Sequence, residues 1–330
     1  MARQQPRVSQ PLGLASVVAC VLITIVRGLN PIAMKVVLLS MPPLLGAFWR
    51  ISFATIGIAC YAALRGIQLR PKRREVLPLT VLAVIFAVQI GANQFGADYT
   101  SPVLLAILFN SYPISTAVIS SFTVAADRLT LRRVVGLAVA FAGVAWILAT
   151  RTESRLAPNP VLGNALVLTA ATLLSIRMVY TRQLSLKVEY VRAVFWTLIG
   201  ALPIFLAGWL VIPDPMQRTE QNWMTWTALL FQGLVIGCTA QLAWVYLIRR
   251  HTPSTVIAFS FITPISGVVL SSAYFGEAVP GRLVAGLVAV LTGIALATRH
   301  SKPGPRASAA VSAALAKRGD AGGGRAGKLS

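Results

Sequence analysis

The sequence predicts an all-α integral membrane protein of ten transmembrane helices, arranged as an inverted repeat of five and five. Three observations carry this. Of 330 residues, 56% are hydrophobic and only 12% are charged, whereas a soluble domain carries about 25% charged residues. The apolar residues fall into runs of about 20, each long enough to cross ~30 Å of hydrocarbon as a helix. The second half of the chain repeats the first.

The spans are expected at 12–34, 43–64, 77–96, 101–123 and 131–149, and again at 160–181, 190–212, 223–247, 253–275 and 281–298. The first follows a basic start and has a signal-like look. No small-x-small cleavage pattern follows its apolar part, and it has a counterpart at 160–181, so it reads as a span. Residues 1–150 form the first five-helix repeat and 151–298 the second. Residues 299–330 are rich in Gly, Ala, Ser and basic side chains, a composition that predicts a disordered cytoplasmic tail.

The net charge is +21. In a soluble protein it would suggest nucleic acid, but no RNA- or DNA-binding motif accompanies it. Its distribution follows the positive-inside rule instead. With the N-terminus inside, 22 of the 30 Lys and Arg residues lie on the inner side, five on the outer side (Lys35, Arg151, Arg155, Arg218 and Arg282), and three within spans (Arg27, Arg50 and Arg177). Both termini are therefore expected in the cytoplasm of an inner-membrane protein.

The repeat is read from matches in order. Asp127, Gly136 and Gly143 map to Glu277, Gly286 and Gly293 at an offset of 150. Gly13 and Arg27 map to Gly163 and Arg177 at the same offset, while Pro102 and Pro113 map to Pro253 and Pro264 at 151. Trp49 in "AFWR" matches Trp196 in "VFWT". Five spans per repeat is an odd number, so the second half enters from the opposite side. Inverted repeats with a midplane site are the usual build of alternating-access transporters. A duplicated membrane scaffold without transport is the alternative.

"GLNPIAMK" ending the first span, "FWRISFA" in the second, "YTSPVLLAILFNSYPI" entering the fourth and "SFITPISGVVLSSAYFGE" in the ninth resemble the drug/metabolite transporter superfamily, in particular its EamA-like members. The span ends "GLAVAFAGV" and "GLVAVLTGIAL" also fit. The resemblance covers residues 12 to 298. It implies ten helices, both termini inside, and export of amino acids or other small metabolites. Just before the glycine of the first span, and at the matching point of the sixth, the family more often carries an aromatic; this chain has Arg27 and Arg177.

A mid-helix arginine costs about 2.5–3.5 kcal/mol on insertion scales and usually faces the interior for a functional reason. By residue counts, Arg27 lies ~22 Å from the inner end of its span and ~11 Å from the outer end, at the depth of Arg50 in the antiparallel neighbour. All nine acidic residues fall in loops or tails on this map, Asp98 nearest a span, so the arginines lack an in-membrane carboxylate. An arriving carboxylate or phosphate would relieve their repulsion. Arg27 and Arg50 are therefore expected to form the outer part of an anion site, with Arg177 nearer the cytoplasm. The alternative is snorkelling of the arginine stems toward the headgroups.

The other substrate-site candidates are Trp49 and Trp196 as a hydrophobic wall, Asn110 and Tyr112 beside Pro113, and Gln241 with Trp244 in the eighth span. Gln89, Asn93, Gln94, Gln232 and Gln241 are amides at membrane depth that need partners inside the bundle. Pro113 and Pro264 are expected to kink their helices, among Ser111, Ser115, Thr116, Ser260 and Thr263. Gly136, Gly143, Gly286 and Gly293 each recur after two helical turns on one face, which predicts close helix packing. Cys20, Cys60 and Cys238 read as small buried hydrophobes.

No catalytic set, nucleotide fingerprint or metal cluster is present in the sequence, so no enzyme activity, cofactor or metal is expected. The expected partners are a small-molecule substrate and membrane lipid, with no nucleic acid; a homodimer stays open. The favoured reading is export of a small metabolite with an anionic group, such as an amino acid or organic acid. The runner-up is export of hydrophobic or cationic drugs.

Overall fold

The structure, a computed structural model, describes residues 13–123, 131–149, 154–184, 188–214, 216, 218–251, 256 and 259–298. The expected tail 299–330, the loop holding Asp127, and Pro253 lie outside the described residues. Among those described there is no strand. Seven helical segments are long and apolar enough to span a membrane, and three shorter apolar helices, Val134–Ala149, Phe259–Phe275 and Gly281–Ala297, accompany them.

The first span is α1 (Leu14–Gly28) and α2 (Asn30–Ser40); the second is α3 (Pro43–Leu64) and the third α4 (Val76–Tyr99). The fourth is α5 (Pro102–Phe109) and α6 (Tyr112–Thr123), and the fifth is α7 (Leu131–Ala149). The sixth and seventh are α8 (Pro160–Leu184) and α9 (Tyr190–Val211). The eighth joins α10 (Trp223–Leu230) to α11 (Gln241–Arg250) through a π-helical stretch, Phe231–Ala240. The ninth ends in α12 (Ile262–Phe275) and the tenth is α13 (Gly281–Thr298).

Local chemistry sets the starts. Ser101 accepts from Leu104 N at the head of α5, Glu189 from Arg192 N at α9, and Asn222 from Thr225 N at α10. Each supplies an acceptor to an otherwise unpaired first-turn amide. Gly276, with φ of 68°, closes α12 in the left-handed region that a side chain disfavours.

Helix packing follows the repeat. Exchanging spans one to five with six to ten maps the contacts of α7 on α13 and of α3 on α9 onto themselves. It also maps α4 on α9 onto the π stretch on α3, and α1 on α12 onto α8 on α6. Lipid provides no hydrophobic force between helices, so close backbone approach has to hold them. The α7–α13 pair shows this. A Cβ on Gly136 would meet Ala297 N at 2.6 Å and Gly293 O at 2.8 Å, and one on Gly143 would meet Val290 N at 2.8 Å. Gly286 lies as tightly on Ile147 and Gly293 on Ala140. Apolar side chains such as Val88, Phe141, Val269 and Val288 face outward, where lipid takes the place of a core.

Three expectations are corrected. The first span runs on to Ser40, because the residues after Lys35 ("VVLLS") are apolar and helix-compatible; Lys35 is thus in α2 and only 3% exposed. The third span extends to Tyr99, so Asp98 is a buried residue of its last turn. Cys20 and Cys238 are buried, but Cys60 is exposed on α3.

Candidate functional site

Arg27 sits midway along the first span, 13 residues from both Leu14 and Ser40. Its carbonyl lacks the usual helical donor four residues on, because that residue is Pro31. The guanidinium Nη2 donates to Gln241 Oε1 at 3.0 Å, and its carbon lies 5.1 Å from the centre of the Trp244 ring. Gln241 Nε2 in turn donates to the Tyr190 hydroxyl at 2.8 Å. The phenols of Tyr112 and Tyr190 are close enough to act electrostatically on Arg27. Arg27, Tyr112, Gln241 and Trp244 are thus brought together by α1, α6 and α11, with Tyr190 of α9 beside them.

Arg177 joins from the opposite half. It stacks over Phe86 at 4.9 Å, its Nε has no hydrogen-bond partner, and Tyr190 acts on it as well. Tyr190 is therefore the group common to both arginines. Arg50 does not share these neighbours. Its Nη1 is buried without a hydrogen-bond partner, and its backbone carbonyl lies against Gly233 of the π stretch. Helix geometry accounts for the grouping. Side chains on an α-helix tilt toward its N-terminus. The N-termini of α1 and α3 lie at opposite ends of the bundle, so Arg27, midway along its span, and Arg50, near the start of α3, lean away from each other. The N-termini of α1 and α8 are also opposed, and from their depths Arg27 and Arg177 lean toward each other.

The remaining candidates have local partners. Trp49 stacks edge-on with Trp226 at 5.4 Å and Phe48 at 5.6 Å, and packs over Val37, Met41 and Leu229. Trp196 donates to Leu69 O at 2.7 Å and meets Phe195 edge-on. Asn110 returns its amide to Ala106 O at 2.7 Å, where the fourth span breaks ahead of Pro113. The ninth span has a short tight turn, Phe259–Phe261, just ahead of Pro264.

A second polar cluster closes the end of the bundle where α2, α4 and the loop after α9 meet. Arg218 grips Asp98 with two bonds of 2.8 Å, binds Asp214 from Nε at 2.7 Å, and donates to Leu38 O. The bonds from Arg218 hold the Asp214 carboxyl below the usual aspartate range. The Lys35 ammonium donates to Ala97 O, Asp98 O and Thr100 O at 2.9–3.1 Å, the carbonyl end of α4, where helix polarity favours a cation. Glu277 accepts from Ser154 and from Val103 N. The opposite end is tied by Arg192, which bonds Glu75 at 3.1 Å and Gln68 O at 3.0 Å, and by His251 against Ser16 at 2.9 Å.

The sequence reading did not single out Tyr190, Phe86, Lys35 or Arg218 as functional. The signal for Lys35 was available: continuing the apolar run through "VVLLS" places a lysine inside a span. Tyr190 carries no such signal, since its role comes from a neighbour 51 residues away.

The sequence profile of the EamA-like transporter family matches residues 14–149 and, a second time, residues 161–299. The chain is 26% identical to an uncharacterized transporter, YvbV, of Bacillus subtilis, over 91% of this chain and 95% of that protein. It is 27% identical to a probable amino-acid metabolite efflux pump of Salmonella typhimurium, over 83% and 91% of the two chains. The Escherichia coli protein of the same description is 24% identical, over 84% and 92%. A solved crystal structure aligns with a TM-score of 0.61 at 18% identity, covering 86% of this chain and 98% of its own, which shows a shared fold. With seven long and three shorter apolar helical segments among the described residues and a family profile matching both halves, the chain belongs to the EamA-like transporter family and is a multi-pass membrane transporter.

Proposed function

We propose that this transporter exports a small metabolite bearing an anionic group, an amino acid or related organic acid, by alternating access. One observation carries the reading: Arg27, midway through the membrane, is held by an amide and an indole, both neutral groups. A guanidinium so placed is costly, and it keeps its charge for a ligand. Neutral partners fix its direction without cancelling its attraction, so a carboxylate can displace the Gln241 bond and gain a charge-assisted one. Arg177 offers a second such cation from the other repeat.

Export and the amino-acid class are supported by the descriptions of the Salmonella and Escherichia relatives. The Arg218–Asp98–Lys35 cluster fits a closed outer gate, with both termini in the cytoplasm as the charge distribution indicates. Reporter fusions at Arg74 and Arg250 should then read cytoplasm, and one at Arg218 periplasm. A hydrophobic cation is the weaker reading, because the Trp244 and Phe86 faces it would need are occupied by arginines.

The test is counterflow in proteoliposomes against a panel of amino acids, organic acids and cationic dyes. Uptake of an anionic or zwitterionic compound that Arg27→Gln abolishes supports the proposal. Uptake restricted to dyes, unaffected by Arg27→Gln, overturns it.

A further inference from the structure

One turn along the first span from Arg27 lies a second polar group that the anion reading leaves unused. Asn30 Nδ2 donates to Met34 Sδ at 3.3 Å, and Asn93 Nδ2 of α4 reaches the same sulfur at 3.7 Å. Met34 is 1% exposed and Asn93 3%. With both amide nitrogens on one thioether, the two carbonyl oxygens, Asn30 Oδ1 and Asn93 Oδ1, are left buried without a hydrogen-bond partner. The orientation is set by chemistry. A thioether is a weak acceptor and cannot donate, so an amide beside it presents its NH2 and turns its oxygen away. Buried carbonyl oxygens are rarely left unpaired, and the exceptions call for an explanation.

Two bare amide oxygens make a site for a donor or a cation. Arg27 is three residues before Asn30, on the same face of a helix that continues through Leu29, so the two side chains are about 4.5 Å apart along the axis. A lone cation so near a guanidinium would be repelled. A cation that arrives with an anion is not, because the anion sits against Arg27 and neutralises it.

From this we infer that Asn30 and Asn93 form a cation subsite, filled by a monovalent cation that binds together with the anion held at Arg27. It rests on the proposed role of Arg27 and deepens it: the substrate is recognised as a charge pair. The cation is either the ammonium of the same molecule, which makes the substrate a zwitterion, or an alkali ion bound alongside a simple anion. Both use the same chemistry, coordination or hydrogen bonding by amide oxygens in a water-poor site. Met34 is a positioning residue that takes both NH2 groups and so leaves both oxygens free for the ligand.

The experiment reads thermal unfolding of the purified full-length protein in detergent, by tryptophan fluorescence, with defined additives. They are the common amino acids one at a time, the N-acetyl derivative of the most protective one as its choline salt, sodium acetate, and choline acetate. A ligand that binds only the folded state raises the midpoint, by about 2–4 °C for each tenfold or so of binding well above its dissociation constant. If the ammonium fills the subsite, an amino acid protects and its N-acetyl derivative does not. If an alkali ion fills it, sodium acetate protects and choline acetate does not. In either case Asn93→Leu abolishes the protection and Asn93→Asp, which keeps an oxygen at the site, retains it. The inference is overturned if N-acetylated or choline-paired anions protect as well as the others, if Asn93→Leu keeps the protection, or if no additive protects the wild type. Protection that survives Arg27→Gln but not Asn93→Leu sinks the anion role of Arg27 and leaves the cation subsite standing. Protection lost in Arg27→Gln but kept in Asn93→Leu does the reverse.

Discussion

Arg27 and Arg177 occupy the same place in the two repeats, yet their surroundings differ. Arg27 lies on a span interrupted by Pro31 and is bonded to Gln241 and stacked on Trp244. Arg177 lies on the uninterrupted α8, stacks on Phe86, and leaves its Nε without a partner. The repeat explains the similarity and the partner helix explains the difference. At the offset of 150, the positions of Gln241 and Trp244 fall to Gly91 and Gln94. Glycine offers no side chain, and Gln94 is already bound to Pro43 O at 3.3 Å. The repeat therefore puts the two arginines at equivalent positions, while the different third and eighth spans give one of them a fixed direction. A symmetric scaffold with an asymmetric centre suits a carrier that must bind one substrate rather than two.

That comparison can be broken most directly at the arginines themselves. Arg27→Gln should lower transport of the native substrate roughly tenfold to a hundredfold at matched protein levels, the loss expected for a charge-assisted hydrogen bond of about 1.5–3 kcal/mol. Arg177→Gln should cost less, roughly a few-fold. Equal losses in proteoliposome assays would mean that the two sites act alike despite their different partners.

The glycine seam tests the symmetric part of the scaffold. Gly143→Leu forces a side chain into Val290 N and Gly286 O, and should destabilise the protein by about 1–3 kcal/mol as an overpacking change. A Cβ at Gly281 meets nothing within 4 Å, so Gly281→Ala should leave the melting midpoint in detergent unchanged. A tolerant Gly143 would show that the α7–α13 contact is not the fixed element of the fold.

The Arg218 cluster tests the asymmetry at the ends. Arg218→Ala takes the guanidinium from both Asp98 and Asp214 at once and should raise the rate at which a cysteine at Leu44 reacts with a membrane-impermeant maleimide. An unchanged rate would argue that this end is closed by packing alone.

The smallest effect concerns pH. Because Arg218 holds the Asp214 carboxyl below its usual range, the contribution of this pair is present above the ordinary aspartate value of about 3.9 and is lost only as pH falls through the lower folded value. A maleimide reacts with the thiolate, so labelling at Leu44→Cys is read as a ratio to a free-thiol standard at each pH, and that ratio should be flat between pH 7 and pH 5. A rise within that window would assign the gate to another titrating group.

Much of the architecture was legible without coordinates. Ten apolar runs, the offset matches and the glycine spacing each reflect constraints that act along one helix or between equivalent positions. Lys35 and Asp98 were misplaced because a span was cut short where a charge appeared, although a buried lysine can be held by the carbonyl end of a neighbouring helix. The pairing of Arg27 with Arg50 was expected from equal depth alone. The structure gives Arg27 the company of Gln241, Trp244, Tyr112 and Tyr190, and sets Arg50 against the π stretch.

The sequence by itself determined that this chain lives in lipid, that it is a doubled five-helix unit, and that it carries arginines where a bilayer tolerates them poorly. Apolar length, charge asymmetry and repetition are properties of the chain read in one dimension. Tertiary structure alone decided which polar groups meet. Side chains lean toward the start of their own helix, so the direction of each span selects partners that depth does not. It is this lean, together with the contact of α1 with α11 and of α2 with α4, that puts Arg27 on Gln241 and gathers Asn30 and Asn93 around Met34.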